Sequence, residues 1–68
     1  MNRDVFQARL RMARKRKGIS AEVASELCGL SPPMVSRYEC GESVPKVSAL
    51  CDLADIYGVS ADFLLGRD

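Results

Sequence analysis

Apolar positions along the chain recur every three or four residues and nowhere alternate with a period of two, which predicts helices throughout and no strand. Residues 3–17 run without Gly or Pro, and Val5, Phe6, Leu10 and Ala13 hold the helical spacing up to Gly18, which stands where a helix C-cap belongs. The last turn of this segment, Arg14 to Lys17, is all cationic and opposes the partial negative charge of a helix end. In "ISAEVASELCG", Ser20 is a good N-cap and Glu22 lies in the first turn; Ala24, Leu27 and Cys28 give a short apolar face, and Gly29 stops the helix. Leu30 and Ser31 repeat the apolar-plus-serine opening, so a third helix is expected after a turn of about three or four residues, ending at Gly41. Beyond the loop "GESVP", residues Val47, Leu50, Cys51, Ala54 and Tyr57 mark a fourth helix that ends at Gly58. Val59 and Ser60 open the fifth, "ADFLLG", whose Phe63 and Leu64 pack back on the others. The apolar-serine opening is local capping grammar and not an internal repeat. The expected fold is all-α, with five helices in a single domain over residues 1–68.

A chain of 68 residues leaves no room for a second domain, and so small a domain buries only about 60% of the surface its unfolded form exposes. The apolar runs are only a few residues long and no leader opens the chain, so a soluble, cytoplasmic protein without membrane contact is expected. Cys28, Cys40 and Cys51 are odd in number and far apart, and with no histidine they are too few for a structural zinc site. They read as small, reduced apolar residues. The net charge of +1 hides a lopsided distribution: residues 1–20 hold seven Lys/Arg against Asp4, whereas residues 21–68 hold three against eight Asp/Glu. A basic end suits a polyanion, although a solvated helix face is the commoner origin of such a run.

Taken together, "RL...R..KGIS" (9–20), "GLS...VSRYE.G" (29–41), Pro45 and "LADIYGVSADFLL" (53–65) resemble the Cro and phage-repressor type of helix-turn-helix proteins. This family is also called xenobiotic-response-element or lambda-repressor-like. The resemblance covers residues 6–65 in the family's order and spacing, and it implies a five-helix DNA-binding domain whose helix-turn-helix lies at about residues 20–40. The physical reading agrees, because this motif needs a small residue where helices 2 and 3 cross (Ser25), a freely turning residue (Gly29) and an aliphatic plug (Val35). Ser25 departs from the usual alanine, but its hydroxyl can bond a carbonyl one turn back. Two further departures face the expected DNA: Ala21 stands where the family usually has glutamine, and Glu42 where it usually has Lys or Arg.

Pro32 and Pro33 stand at the start of the reading helix. Both suit a first turn, where a missing N–H leaves nothing unpaired, but Pro33 pushes Pro32 toward extended conformations, so the helix is expected to begin at Pro33. By resemblance, Pro32, Pro33, Met34, Ser36 and Arg37 contact bases. The proline rings and Met34 offer apolar contact to a thymine methyl, while Arg37 offers a bidentate fork to guanine. Taken alone, Arg37 could equally be solvated or paired with a neighbouring glutamate. Ser20, Ala21 through its backbone N–H, Ser31, Ser43 and Lys46 are the expected phosphate contacts, with Arg16 and Lys17 supplying charge nearby.

The resemblance gives Arg14 a structural role instead, in an ion pair with Glu39. Tyr38 and Tyr57 read as core residues with a wet hydroxyl. Ile56 and Leu65 exceed what the core accepts and form the expected homodimer interface, since specific binding calls for two half-sites about 34 Å apart. Nothing marks an enzyme, a cofactor or a small-molecule ligand: there is no histidine, no Gly-rich phosphate loop and no cysteine with an evident base. The reading is a sequence-specific transcriptional regulator acting on double-stranded DNA. Its alternative is a protein-interaction module of the same fold, with weak or no DNA binding, motivated by Ala21, Glu42 and the near-neutral charge.

Overall fold

A computed structural model describes all 68 residues, and it forms α1 (Arg3–Lys17), α2 (Ala21–Leu27), α3 (Met34–Cys40), α4 (Val47–Tyr57) and α5 (Ala61–Leu65). Side-chain caps set three of the starts: Asn2 Oδ1 accepts the Val5 N–H, Ser20 Oγ that of Val23, and Ser60 Oγ that of Phe63, all at 3.0–3.1 Å. No helix is long and apolar enough to cross a membrane.

One core joins all five helices. Phe6, Leu10 and Ala13 of α1 meet Ala24 of α2, Val35 and Tyr38 of α3, Leu53, Ala54 and Tyr57 of α4, and Leu64 of α5. Arg9 adds a polar clasp between the first and last helices: its Nη1 donates to Phe63 O at 2.8 Å and to Asp68 Oδ1 at 2.7 Å. The guanidinium also lies 4.7 Å from the centre of the Phe63 ring, a cation–π distance.

The expected inner stripe of α4 is displaced. Ala49, Leu53, Ala54 and Tyr57 are buried, with Leu50 packed beside them, while Val47 is 76% exposed and Cys51 is also exposed. Each of those two lies two positions, about 200° of helix, before a buried residue and so faces away from the core. The same rotation explains Leu27 of α2, which is exposed although Ala24 and Ser25 are fully buried. Both Ile56 and Leu65 are half-buried and packed against the core. They are not the free apolar pair that the sequence suggested. The large apolar residues left exposed are instead Met1, Met12, Val23, Leu27, Val44 and Val47.

Both tyrosines are core residues, but the Tyr57 hydroxyl is not wet: it is buried and has no hydrogen-bond partner. Burial pushes this phenol's pKa far up, and the nearby Glu39 carboxylate adds to the shift. Tyr57→Phe should therefore raise stability, by about 1 kcal/mol, because it removes an unsatisfied polar atom and keeps the ring. Chemical denaturation measures this, and a loss of stability would show that the hydroxyl has a partner.

Candidate nucleic-acid interface

The connection from α2 to α3 determines how α3 is presented. It runs over Cys28–Pro33, longer than the expected turn, because α2 ends at Leu27, before Cys28, and α3 starts at Met34 and not at Pro33. Ser31 does not cap the helix with its side chain. Ser31 and the prolines form a turn in which the Ser31 carbonyl accepts the Met34 N–H at 3.1 Å, and Pro33 occupies the cap position without a side-chain acceptor to offer. The missing cap comes from the preceding helix. Ser25 Oγ donates to Ala21 O at 2.8 Å and accepts the Val35 N–H at 3.1 Å. A fully buried hydroxyl thus links the backbones of α2 and α3 at their crossing, beside the equally buried Val35.

The far end of α3 is tied to α1. Glu39 receives two bonds from one guanidinium, Arg14 Nε to Oε2 at 2.7 Å and Arg14 Nη2 to Oε1 at 3.1 Å, while Arg14 Nη1 donates to Ile19 O at 2.9 Å. The two side chains are only 14% and 9% exposed, which makes this a largely desolvated bidentate pair. The hydrogen bond to Glu39 raises the Arg14 pKa, against the opposing effect of burial. At the end of the helix, Gly41 takes φ 84°, and a Cβ there would stand 2.6 Å from Gln7 Nε2. Arg3 Nη2 donates to Gly41 O at 3.1 Å.

Held at both ends, α3 turns Val35 and Tyr38 inward and leaves Pro33, Ser36, Arg37 and Cys40 exposed, at the i, i+3, i+4, i+7 spacing of one helix face. Pro32 is exposed just before it. Met34 stands apart from the other expected base readers: it is half-buried and packs against the core. Cys40 extends the face and was not among those readers. Its place follows from counting seven residues on from Pro33, a signal masked by reading every cysteine as an apolar filler. Cys51 is exposed as well, whereas Cys28 is half-buried, and burial pushes its thiol pKa up.

The expected phosphate contacts occupy segments on either side of the turn and beyond α3. Ser20 and Ser31 are exposed, Ala21 packs partly into the core, Ser43 is half-exposed, and Lys46 is exposed at the start of α4. The basic end divides into two groups. Arg3, Arg9 and Arg14 are engaged by the protein's own carbonyls and carboxylates, which leaves Arg11, Lys15, Arg16 and Lys17 exposed and without an ion-pair partner. Arg37 is 51% exposed, and its Nε lies 3.9 Å from Glu42 Oε2, so the neighbouring-glutamate reading of this residue describes the geometry of the free protein.

Two adjoining helices locked at their crossing, the second with a polar and apolar outer face, define a helix-turn-helix frame. Residues 6–64 match the family described as "Helix-turn-helix domain". The chain is 36% identical over 61 residues to the SPbeta prophage-derived uncharacterized HTH-type transcriptional regulator YonR of Bacillus subtilis (strain 168), covering 90% of this chain and 56% of that protein. It is 31% identical over 64 residues to the uncharacterized HTH-type transcriptional regulator YazB of the same organism, covering 94% and 93%. With the cryptic phage CTXphi transcriptional repressor RstR of Vibrio cholerae serotype O1 (strain ATCC 39315 / El Tor Inaba N16961) it shares 38% over 60 residues, 84% of this chain and 53% of that one. The chain spans about half the length of most of the curated relatives it matches. No solved structure matches it. The chain belongs to the helix-turn-helix family of the Cro and phage-repressor type.

Proposed function

We propose that the domain is a transcriptional regulator that binds double-stranded DNA, laying the outer face of α3 in the major groove. The observation that carries this reading is the face itself: Pro33, Ser36 and Arg37 project from a helix that Ser25 fixes at one end and Glu39 at the other. A reader of base edges needs that rigidity, because a bidentate contact tolerates little misplacement. Arg37 is assigned to a guanine, Pro32 and Pro33 to apolar contact with thymine methyls, and Ser36 to a polar contact. Met34 contributes through the part of its side chain that the core leaves open. Ser20, Ala21, Ser31, Ser43 and Lys46 contact phosphates, and Arg16 and Lys17 raise the local positive potential. A single domain of this size covers little DNA, so the reading includes a homodimer on half-sites about 34 Å apart. It assigns no catalytic step.

Titration with mixed-sequence duplex DNA at low and moderate salt tests the reading, since neutralising phosphates releases counterions and affinity must fall steeply as salt rises. Sequences selected from a random pool then identify the preferred site. On that site Arg37→Ala should cost about 1–3 kcal/mol of binding and relax the preference at one base pair. Equal losses on all sequences would make Arg37 a phosphate contact. Absence of binding even at low salt would leave the interaction module, for which the Glu42 carboxylate beside Arg37 is the supporting observation.

A further inference from the structure

The α3–α4 turn is held in place from several directions. The N–H groups of Glu42 and Ser43 both donate to Arg37 O, at 2.9 and 3.3 Å, so the backbone carrying Glu42 folds back onto the residue assigned to base reading. Gly41 meets the positive φ this requires, Gln7 fills the space beside it, and Arg3 holds its carbonyl. The backbone of Glu42 is therefore placed by the fold and not by chance on a loose loop. Its carboxylate lies 3.9 Å from Arg37 Nε, an ion-pair distance beyond hydrogen-bond range.

The nitrogen it approaches is informative. A guanidinium has one edge formed by Nε and a far end formed by Nη1 and Nη2, and its five donors have fixed directions. A carboxylate at Nε leaves the terminal pair free to meet guanine O6 and N7. Attraction at this distance biases Arg37 toward rotamers that keep Nε beside the carboxylate, out of the many that a long exposed side chain can adopt. The same negative charge lies on a surface assigned to DNA, where it opposes every phosphate alike.

We propose that Glu42 is a positioning residue for base reading by Arg37, lowering affinity for DNA in general while increasing discrimination at the base pair that Arg37 contacts. The proposal rests on the DNA-reading function above. Simple repulsion would lower affinity for every sequence and leave discrimination unchanged.

The test measures binding of the wild type, Glu42→Gln, Arg37→Ala and the double variant to two probes at fixed salt. One probe is a duplex selected by the wild type from a random pool, and the other is the same duplex with the Arg37-dependent base pair exchanged. Glu42→Gln should bind both probes more tightly, while the ratio between them falls about two- to fivefold, the size of effect an exposed ion pair supports. In the Arg37→Ala background, Glu42→Gln should leave the ratio unchanged. An undiminished ratio in Glu42→Gln would overturn the proposal and leave Glu42 as a repulsive charge alone. If Arg37→Ala shifts no base preference at any position, the proposal fails and the base-reading assignment fails with it. Glu42 is 66% exposed, so unchanged helicity of Glu42→Gln is expected.

Discussion

Glu39→Gln should destabilise the domain by about 3 kcal/mol, the lower end of what breaking a buried ion pair costs. Glutamine keeps the size of the side chain, but one of its two ends now presents N–H groups to a guanidinium that is itself only a donor. Arg14 would keep its bond to Ile19 O and would lose its counter-charge in a site where it is 14% exposed. A domain of this length has a total stability on the order of 3–10 kcal/mol, so the variant should melt well over 10 °C lower. Replacing both partners, Arg14→Met with Glu39→Leu, should recover much of the loss, because an apolar pair leaves no charge unbalanced. Thermal and urea denaturation of the three variants decide it. A Glu39→Gln protein that melts with the parent would mean that the pair contributes nothing in solution.

Ser25→Val carries a comparable penalty by a different route. The Val35 N–H loses its only acceptor inside a fully buried crossing, at a cost of about 1–3 kcal/mol. The added methyl groups press on a position where the two helices meet, for roughly another 1–3 kcal/mol. Ser25→Ala isolates the first effect, since it removes the hydroxyl without crowding. The expected order of stability is wild type, then Ser25→Ala, then Ser25→Val. If Ser25→Ala equals the wild type, the hydroxyl is a passenger and α3 is positioned by packing alone.

Both variants concern contacts of a kind that periodicity does not record. The helices themselves were legible, because the caps are local: Ser20 and Ser60 bond N–H groups three residues away, and the spacing of Phe6, Leu10 and Ala13 repeats within one element. The meeting of Arg14 with Glu39 came from family resemblance, since nothing in either segment says which distant residue it will face. The sequence shows the small size of Ser25 and its capacity for a bond within its own helix; its second bond, to the next helix, depends on a three-dimensional crossing. The buried face of α4 differs from the expected one for a related reason. Apolar residues at Val47, Leu50 and Cys51 fit one stripe, Ala49, Leu53 and Tyr57 fit another, and only packing against α1, α2 and α5 selects between them. Ile56 and Leu65, expected at the surface, are likewise half-buried against the core.

Pro32 and Pro33 have a consequence that lies in the unfolded chain. Each ring holds its own φ at about −65° before folding begins, close to the −83° that Pro33 has in the native turn. A disordered segment from Leu30 to Met34 thus has fewer conformations to surrender than one of ordinary residues, and the entropy lost in ordering the entrance to α3 is correspondingly small. Stiffness built into the covalent chain thus works alongside the Ser25 hydroxyl, which supplies the acceptor that Pro33 lacks at the entrance to α3.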